Sequence, residues 1–179
     1  MMQMLAAGGL PVLTDDARAA DADNPRGYHE FEPVKKTRQD RTWLGRAAGK
    51  AVKMVHLLVH DLPRDRSYQL ILMRRNLTEV VRSQNLMLRR LGRRGADLTP
   101  TQLIEAYRRQ LAELTDWLEE QADFTYVTVD FNDLLREPEP IIRRLNRFLG
   151  GRLNEGAMRR VIDPTLYRQR SDGRDDSSA

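Results

Sequence analysis

Cysteine is absent from the chain, which removes disulfide scaffolds, zinc fingers, iron–sulfur clusters and thiol nucleophiles in one step and suits a reducing compartment. Long apolar runs are absent too. The densest stretches, Met54–Val59 and Leu70–Met73, are strand-sized and far short of the ~20 residues that cross a bilayer. The N-terminal residues have neither the basic start nor the apolar core of a secretory leader, so a cytoplasmic protein with no membrane span is expected. Lysine is scarce, with four residues against 26 arginines, and the net charge is only +4 despite a pI near 9.7. Many arginines sit at helical spacing from acids, as Arg108-Arg109 do from Glu105 and Glu113, the pattern of a solvated helix face. No aromatic–basic interleaving or helix-turn-helix signature accompanies them, so nucleic acid is not an expected partner.

What is present is globular composition: 179 residues, 40% hydrophobic and 31% charged with both signs mixed. That length predicts a single domain over residues 1–170, with the polar stretch 171–179 as a disordered tail. The first eight residues read as an apolar helix stopped by Gly8-Gly9, with no N-cap residue before it. Leu10–Leu13, Ala51–Val55, Tyr68–Met73 and Tyr126–Val129 read as strands, and Glu32–Leu44 as a short helix with a loop.

Asn76, with Glu79 three residues on, predicts a capped helix to about Leu91. Thr99-Pro100-Thr101-Gln102 opens a second helix, whose apolar stripe runs through Leu103, Tyr107, Leu111, Leu114 and Leu118. Glu139–Leu149 and Asn154–Ile162 read as the last two helices. Strands alternating with helices predict an α/β fold, a mostly parallel sheet flanked by helices. Trp43 and Trp117 read as core, and His29 as solvent-facing.

The most informative stretch runs from Leu70 to Ser83. It places Arg75 where a buried strand ends and a capped helix begins, the position at which open α/β sheets bind ligands. Ser83 follows about two helical turns on, so a guanidinium and a hydroxyl converge on one phosphate. A structural ion pair for Arg75 and a surface role for Ser83 satisfy the same spacing.

At these residues the chain resembles the sulfotransferase family, whose 3′-phosphate-binding motif is a strand ending in Arg-Asn, a helix, and Ser eight residues after the Arg. Arg75-Asn76 and Ser83 match it position by position. The resemblance continues through Val129 to Pro138, which contains Asp133-Leu134-Leu135, and through Phe148-Leu149-Gly150. Asn24-Pro25-Arg26-Gly27-Tyr28-His29-Glu30 is similar to a segment of small bacterial members, and Asp163 to Arg170 to their basic C-terminal end.

The resemblance implies a P-loop NTPase-like three-layer sandwich and a sulfuryl transfer from 3′-phosphoadenosine 5′-phosphosulfate to a hydroxyl or amine of a small-molecule acceptor, with no metal. It implies that Arg75, Ser83, Arg168 and Arg170 bind the nucleotide. One departure stands out. The family holds the 5′-phosphosulfate in a Gly/Ser/Thr-rich loop before the first helix, and this chain has no such loop, Met1–Gly9 corresponding to the helix after it. The expectation is an N-terminally truncated domain with impaired catalysis.

Sulfuryl transfer needs a base for the acceptor proton and cations for the leaving phosphate. Glu30, flanked by Tyr28 and Phe31, is the first candidate base, in surroundings expected to be apolar; Glu32 follows it. His56 is the second, and Lys53 lies in the family's lysine position, although His56 falls three residues after it rather than two. His60 is the remaining imidazole near that strand. Two other readings compete: a P-loop kinase-like phosphotransferase fragment, which lacks a Walker A lysine, and a non-catalytic nucleotide-binding remnant.

Overall fold

A computed structural model describes residues 1–15, 17–21, 24–163 and 165. Two seven-residue strands, β1 (Tyr68–Arg74) and β2 (Phe124–Asp130), pair in parallel from Tyr68↔Phe124 to Arg74↔Asp130. A parallel pair needs a long crossover, and two antiparallel-spaced helices supply it: α3 (Leu77–Arg90) and α4 (Pro100–Glu119). The remaining helices are α1 (Met2–Ala7), α2 (Leu44–Ala47), α5 (Phe131–Arg136), α6 (Pro138–Phe148) and α7 (Glu155–Arg160). The result is the mixed α/β body, a parallel sheet flanked by helices, that the alternation predicts.

The capping signals explain where the helices begin. The Thr99 hydroxyl accepts from the Gln102 N–H and the Gln102 side chain accepts from the Thr99 N–H, a complete capping box with Pro100 at the first helical position. Asn76 caps α3 by accepting from the Thr78 and Glu79 N–H groups, but Glu79 does not return the bond; its carboxylate turns to Arg75 instead. At Gly8-Gly9 the two glycines have different reasons to be there. Only Gly9 has a positive φ, +97°, whereas Gly8 remains helical at −71° and leaves space for Met158, since a Cβ there would lie 2.7 Å from Met158 Cγ.

Two expected strands shrink to one bridge. Leu13 N–H donates to Ala51 O and Ala51 N–H donates to Pro11 O, at 2.9 and 2.8 Å, and pairing goes no further. Pro11 has no N–H to extend the ladder, and the chain after Val55 turns at once into a 3₁₀ segment, His56–Asp61. The Glu32–Leu44 helix likewise divides into a 3₁₀ turn, Glu32–Lys36, and the start of α2.

Tyr68 N–H donates to Asp123 O at 2.8 Å, which sets the parity of β1. Its even-numbered residues exchange ladder bonds with β2, so the N–H and C=O groups of Gln69, Ile71 and Met73 face the other way. The sheet also divides the core in two. Tyr68, Leu70, Leu72, Phe124 and Tyr126 pack with Phe31, Trp43, Leu114 and Leu118 on one face. Ile71, Val127 and Val129 pack with Met4, Ile142, Leu145 and Met158 on the other.

Candidate functional site

An open cleft of about 1390 Å³ lies between the outward edge of β1 and the segment Lys50–His56. Its floor is apolar, with Leu70, Leu72, Val59 and Leu111 among the lining residues. Its charge is of one sign: Arg26, Lys50, Lys53, Arg66, Arg74 and Arg75 line it, and no carboxylate does among the described residues. Cations arranged around a half-enclosed cleft favour an anionic occupant, because field lines concentrate where low-dielectric walls exclude water.

Arg75 stands at the C-terminal end of β1, one residue beyond the last sheet pair, Arg74↔Asp130. That register puts it beside Phe131, the first residue of α5, and its guanidinium lies 4.9 Å from the centre of the Phe131 ring. Nε donates to Glu79 Oε2 at 3.2 Å. Glu79 is 2% exposed and Arg75 28%, so the carboxylate lies deep and the guanidinium opens to the cleft. The expected ion pair is therefore present, with Glu79 holding the arginine from behind. Ser83, two turns along α3, is partly buried; it does not line the cleft and its side chain makes no hydrogen bond to another described residue.

Lys53 Nζ donates to the Tyr28 carbonyl at 3.0 Å and lies 3.8 Å from Glu30 Oε1. Glu30 is not in the apolar setting that its aromatic neighbours suggest. Arg18 at 3.4 Å, Lys35 at 3.3 Å and Lys53 surround its carboxylate, and it faces a smaller pocket of about 210 Å³ with Arg18, Tyr28 and His29. A hydrogen bond from Lys35 to Glu32, with Glu30 second, holds the Lys35 ammonium above its ordinary value. Tyr28 anchors this corner: its hydroxyl donates to Asp21 at 2.7 Å and its ring carries the Arg18 guanidinium at 3.3 Å. Arg26 ties the same segment to the far end of the chain, donating to Val161 O at 2.8 Å and Asp163 at 2.6 Å.

His56 lines the cleft with Lys53 and Arg75. Its Nε2 lies 3.1 Å from Gln110 Oε1 on α4, and Tyr107 meets the ring edge-on. His60 packs against Trp117, ring centres 4.5 Å apart, and is exposed at the rim of the aromatic cluster. His29 is half-buried rather than solvent-facing. Its φ is +50°, and its Nε2 has no hydrogen-bond partner among the described residues. Arg168, Arg170 and the tail 171–179 lie outside the described residues.

Thus Arg75, Lys53 and His56 share one cleft, Glu30 supports it from an adjoining pocket, and Ser83 stands apart. Glu79, Phe131 and Gln110 complete the arrangement without having been singled out for it in the sequence. Arg75–Glu79 spacing is visible as an i,i+4 pair; Phe131 and Gln110 are placed by tertiary register and carry no local signal. Among the described residues no group of three or more His, Asp or Glu is placed to hold a metal ion.

A family model described as a sulfotransferase domain matches residues 49–175. The matched span holds Lys53, His56, Arg75, Ser83 and the stretches Val129–Pro138 and Phe148–Gly150, while Glu30 precedes it. No curated protein and no solved structure matches the chain. With a match over well over half its length, on a parallel-sheet α/β body that agrees with the family's P-loop-like fold, the chain belongs to the sulfotransferase domain family.

Proposed function

We propose that this protein takes part in sulfuryl transfer from 3′-phosphoadenosine 5′-phosphosulfate to a hydroxyl or amine acceptor. The observation that carries the reading is the charge of the cleft: six cationic side chains and no described carboxylate at its lining. In this reading Arg75 holds the 3′-phosphate with a two-pronged, permanently charged donor, while Ser83, which does not line the cleft, takes no part. Lys53 faces the 5′-phosphosulfate and compensates the charge that grows on the leaving phosphate.

The step exchanges the S–O bond to the donor phosphate for an S–O or S–N bond to the acceptor. The acceptor oxygen or nitrogen bonds to sulfur as the bond from sulfur to the 5′-phosphate oxygen breaks. Its proton passes to a base, and adenosine 3′,5′-bisphosphate leaves. Placement favours His56 as that base, since it lines the cleft beside Lys53 and Arg75. Glu30, engaged by three cations, is better suited to orient Lys53.

Titration calorimetry with adenosine 3′,5′-bisphosphate tests the binding half. Losing one charge-assisted contact in Arg75→Ala is expected to weaken affinity roughly tenfold to a hundredfold; unchanged affinity refutes the assignment. Transfer of labelled sulfate from the donor to a panel of alcohols and amines tests the chemical half. Binding without transfer selects the non-catalytic nucleotide-binding reading.

A further inference from the structure

The tip of the α3–α4 hairpin combines a run of arginines with exposed leucines. From Val80 to Ala96 the chain carries Arg82, Arg89, Arg90, Arg93 and Arg94 and no acidic residue. Every residue from Arg89 to Pro100 is exposed. Other arginines lie in ion pairs with neighbouring acids, as Arg108 does with Glu105 and Arg159 with Glu139. Arg89, Arg93 and Arg94 form no ion pair with another described residue, and Asp97 is the single acid at the tip.

Two large apolar side chains stand among these charges. Leu91 is 52% and Leu98 47% exposed, two of the five exposed large hydrophobics of the described chain. The turn that presents them is fixed. Gly92, at φ +60°, donates to Arg89 O at 3.1 Å, and Arg93 N–H donates to Leu88 O at 2.9 Å, the paired bonds of a Schellman cap. Leu91, Arg93 and Arg94 are thereby held at a hydrogen-bonded corner.

We propose that this tip docks on an anionic lipid bilayer, arginines against the headgroups and Leu91 and Leu98 in the interfacial layer. Arginine clusters alone serve any polyanion. Exposed leucines set between them gain only where an apolar phase lies directly beneath a negative surface. A juxtaposed basic and apolar surface of this kind lies on a membrane without spanning it, and no described helix is long and apolar enough to span one.

Co-sedimentation of the full chain with vesicles of phosphatidylglycerol and phosphatidylcholine, against phosphatidylcholine alone, tests the proposal. Binding to the anionic vesicles only is expected, and Arg93→Ala/Arg94→Ala is expected to lower partitioning by roughly tenfold or more. Leu91→Gln/Leu98→Gln keeps the charge and is expected to lose most of the binding; both positions are exposed, and circular dichroism verifies the fold. Absence of binding to anionic vesicles overturns the proposal. So does binding that the leucine variant retains in full, which identifies the tip as a site for soluble polyanions. The outcome is independent of the bisphosphate measurement, so either reading fails without the other.

Discussion

Glu79 is buried to 2% exposure one helical turn from Arg75, and it is this carboxylate, 3.2 Å from Arg75 Nε, that fixes the guanidinium at the cleft mouth. The pair separates two effects that a single substitution confounds. Arg75→Ala leaves a buried carboxylate without that partner, an expected loss of about 2–3 kcal/mol in stability. Arg75→Ala/Glu79→Leu removes the buried carboxylate as well and is expected to recover much of that loss without recovering bisphosphate affinity. Denaturant unfolding beside calorimetry reads both; recovered affinity in the double variant rules out Arg75 as the anchor.

For transfer activity, His56→Ala is expected to lower kcat by ~10²–10⁴ and flatten the acidic limb of the pH–rate profile while bisphosphate affinity holds. Glu30→Gln acts through Lys53 and is expected to raise KM for the donor more than it lowers kcat. The reverse pattern, with His56→Ala near full rate and Glu30→Gln slow, makes Glu30 the base.

Folding of the crossover depends on the start of α4. Thr99→Ala breaks the bond to the Gln102 N–H and is expected to cost about 1 kcal/mol, seen as a lower denaturant midpoint at constant slope. Thr99→Ser preserves the acceptor and serves as the control.

Gly8→Ala introduces a Cβ 2.7 Å from Met158 Cγ and 3.3 Å from Leu153 Cβ, against a methionine with no exposed surface. Overpacking of this kind is expected to cost about 1–3 kcal/mol. Gly9→Ala meets no atom within 4 Å and is strained through its φ of +97° instead. Relief of the first variant by Met158→Ala, but not of the second, distinguishes crowding from backbone strain.

Acid lability has a definite sign. The hydrogen bond from Arg159 at 2.8 Å holds the Glu139 carboxyl below its ordinary 4.5, and the Thr165 hydroxyl and N–H, then Arg26, hold Asp163 below 3.8. Depressed folded values mean that the unfolded chain takes up protons first as pH falls. The stabilisation is complete above the ordinary values and is lost as pH drops through the folded ones. Melting temperature is thus expected to fall from about pH 5 downward, less steeply in Glu139→Gln; an unchanged slope assigns the acid sensitivity to other carboxylates.

Local chemistry explains which features were legible in advance. Caps at Asn76, Thr99 and Asn154 and the leucine stripe of α4 act through neighbours in sequence, so their elements fall where the sequence places them. The β-branched and aromatic runs at Tyr68 and Tyr126 form the paired strands, whereas Leu10–Leu13 and Ala51–Val55 have strand-like residues but no continuing partner. Strand formation depends on what lies alongside, which one segment does not encode. The same holds at the site. Arg75 is legible from its place after a strand, while the ring of cations around Glu30 comes from Arg18, Lys35 and Lys53, brought together only by the tertiary fold.

The division of the core by a two-stranded sheet bears on how the molecule opens. Each apolar cluster closes on its own set of helices, and the seven residue pairs of β1 and β2 are the seam between them. Fluctuations that loosen α1 or α7 expose one side while the aromatic cluster on the other stays intact, so sub-global opening is built into the layout. The ladder amides of Leu70 and Leu72, which point across the seam, are released only when both halves part. In native-state hydrogen exchange they are the reporters of complete unfolding.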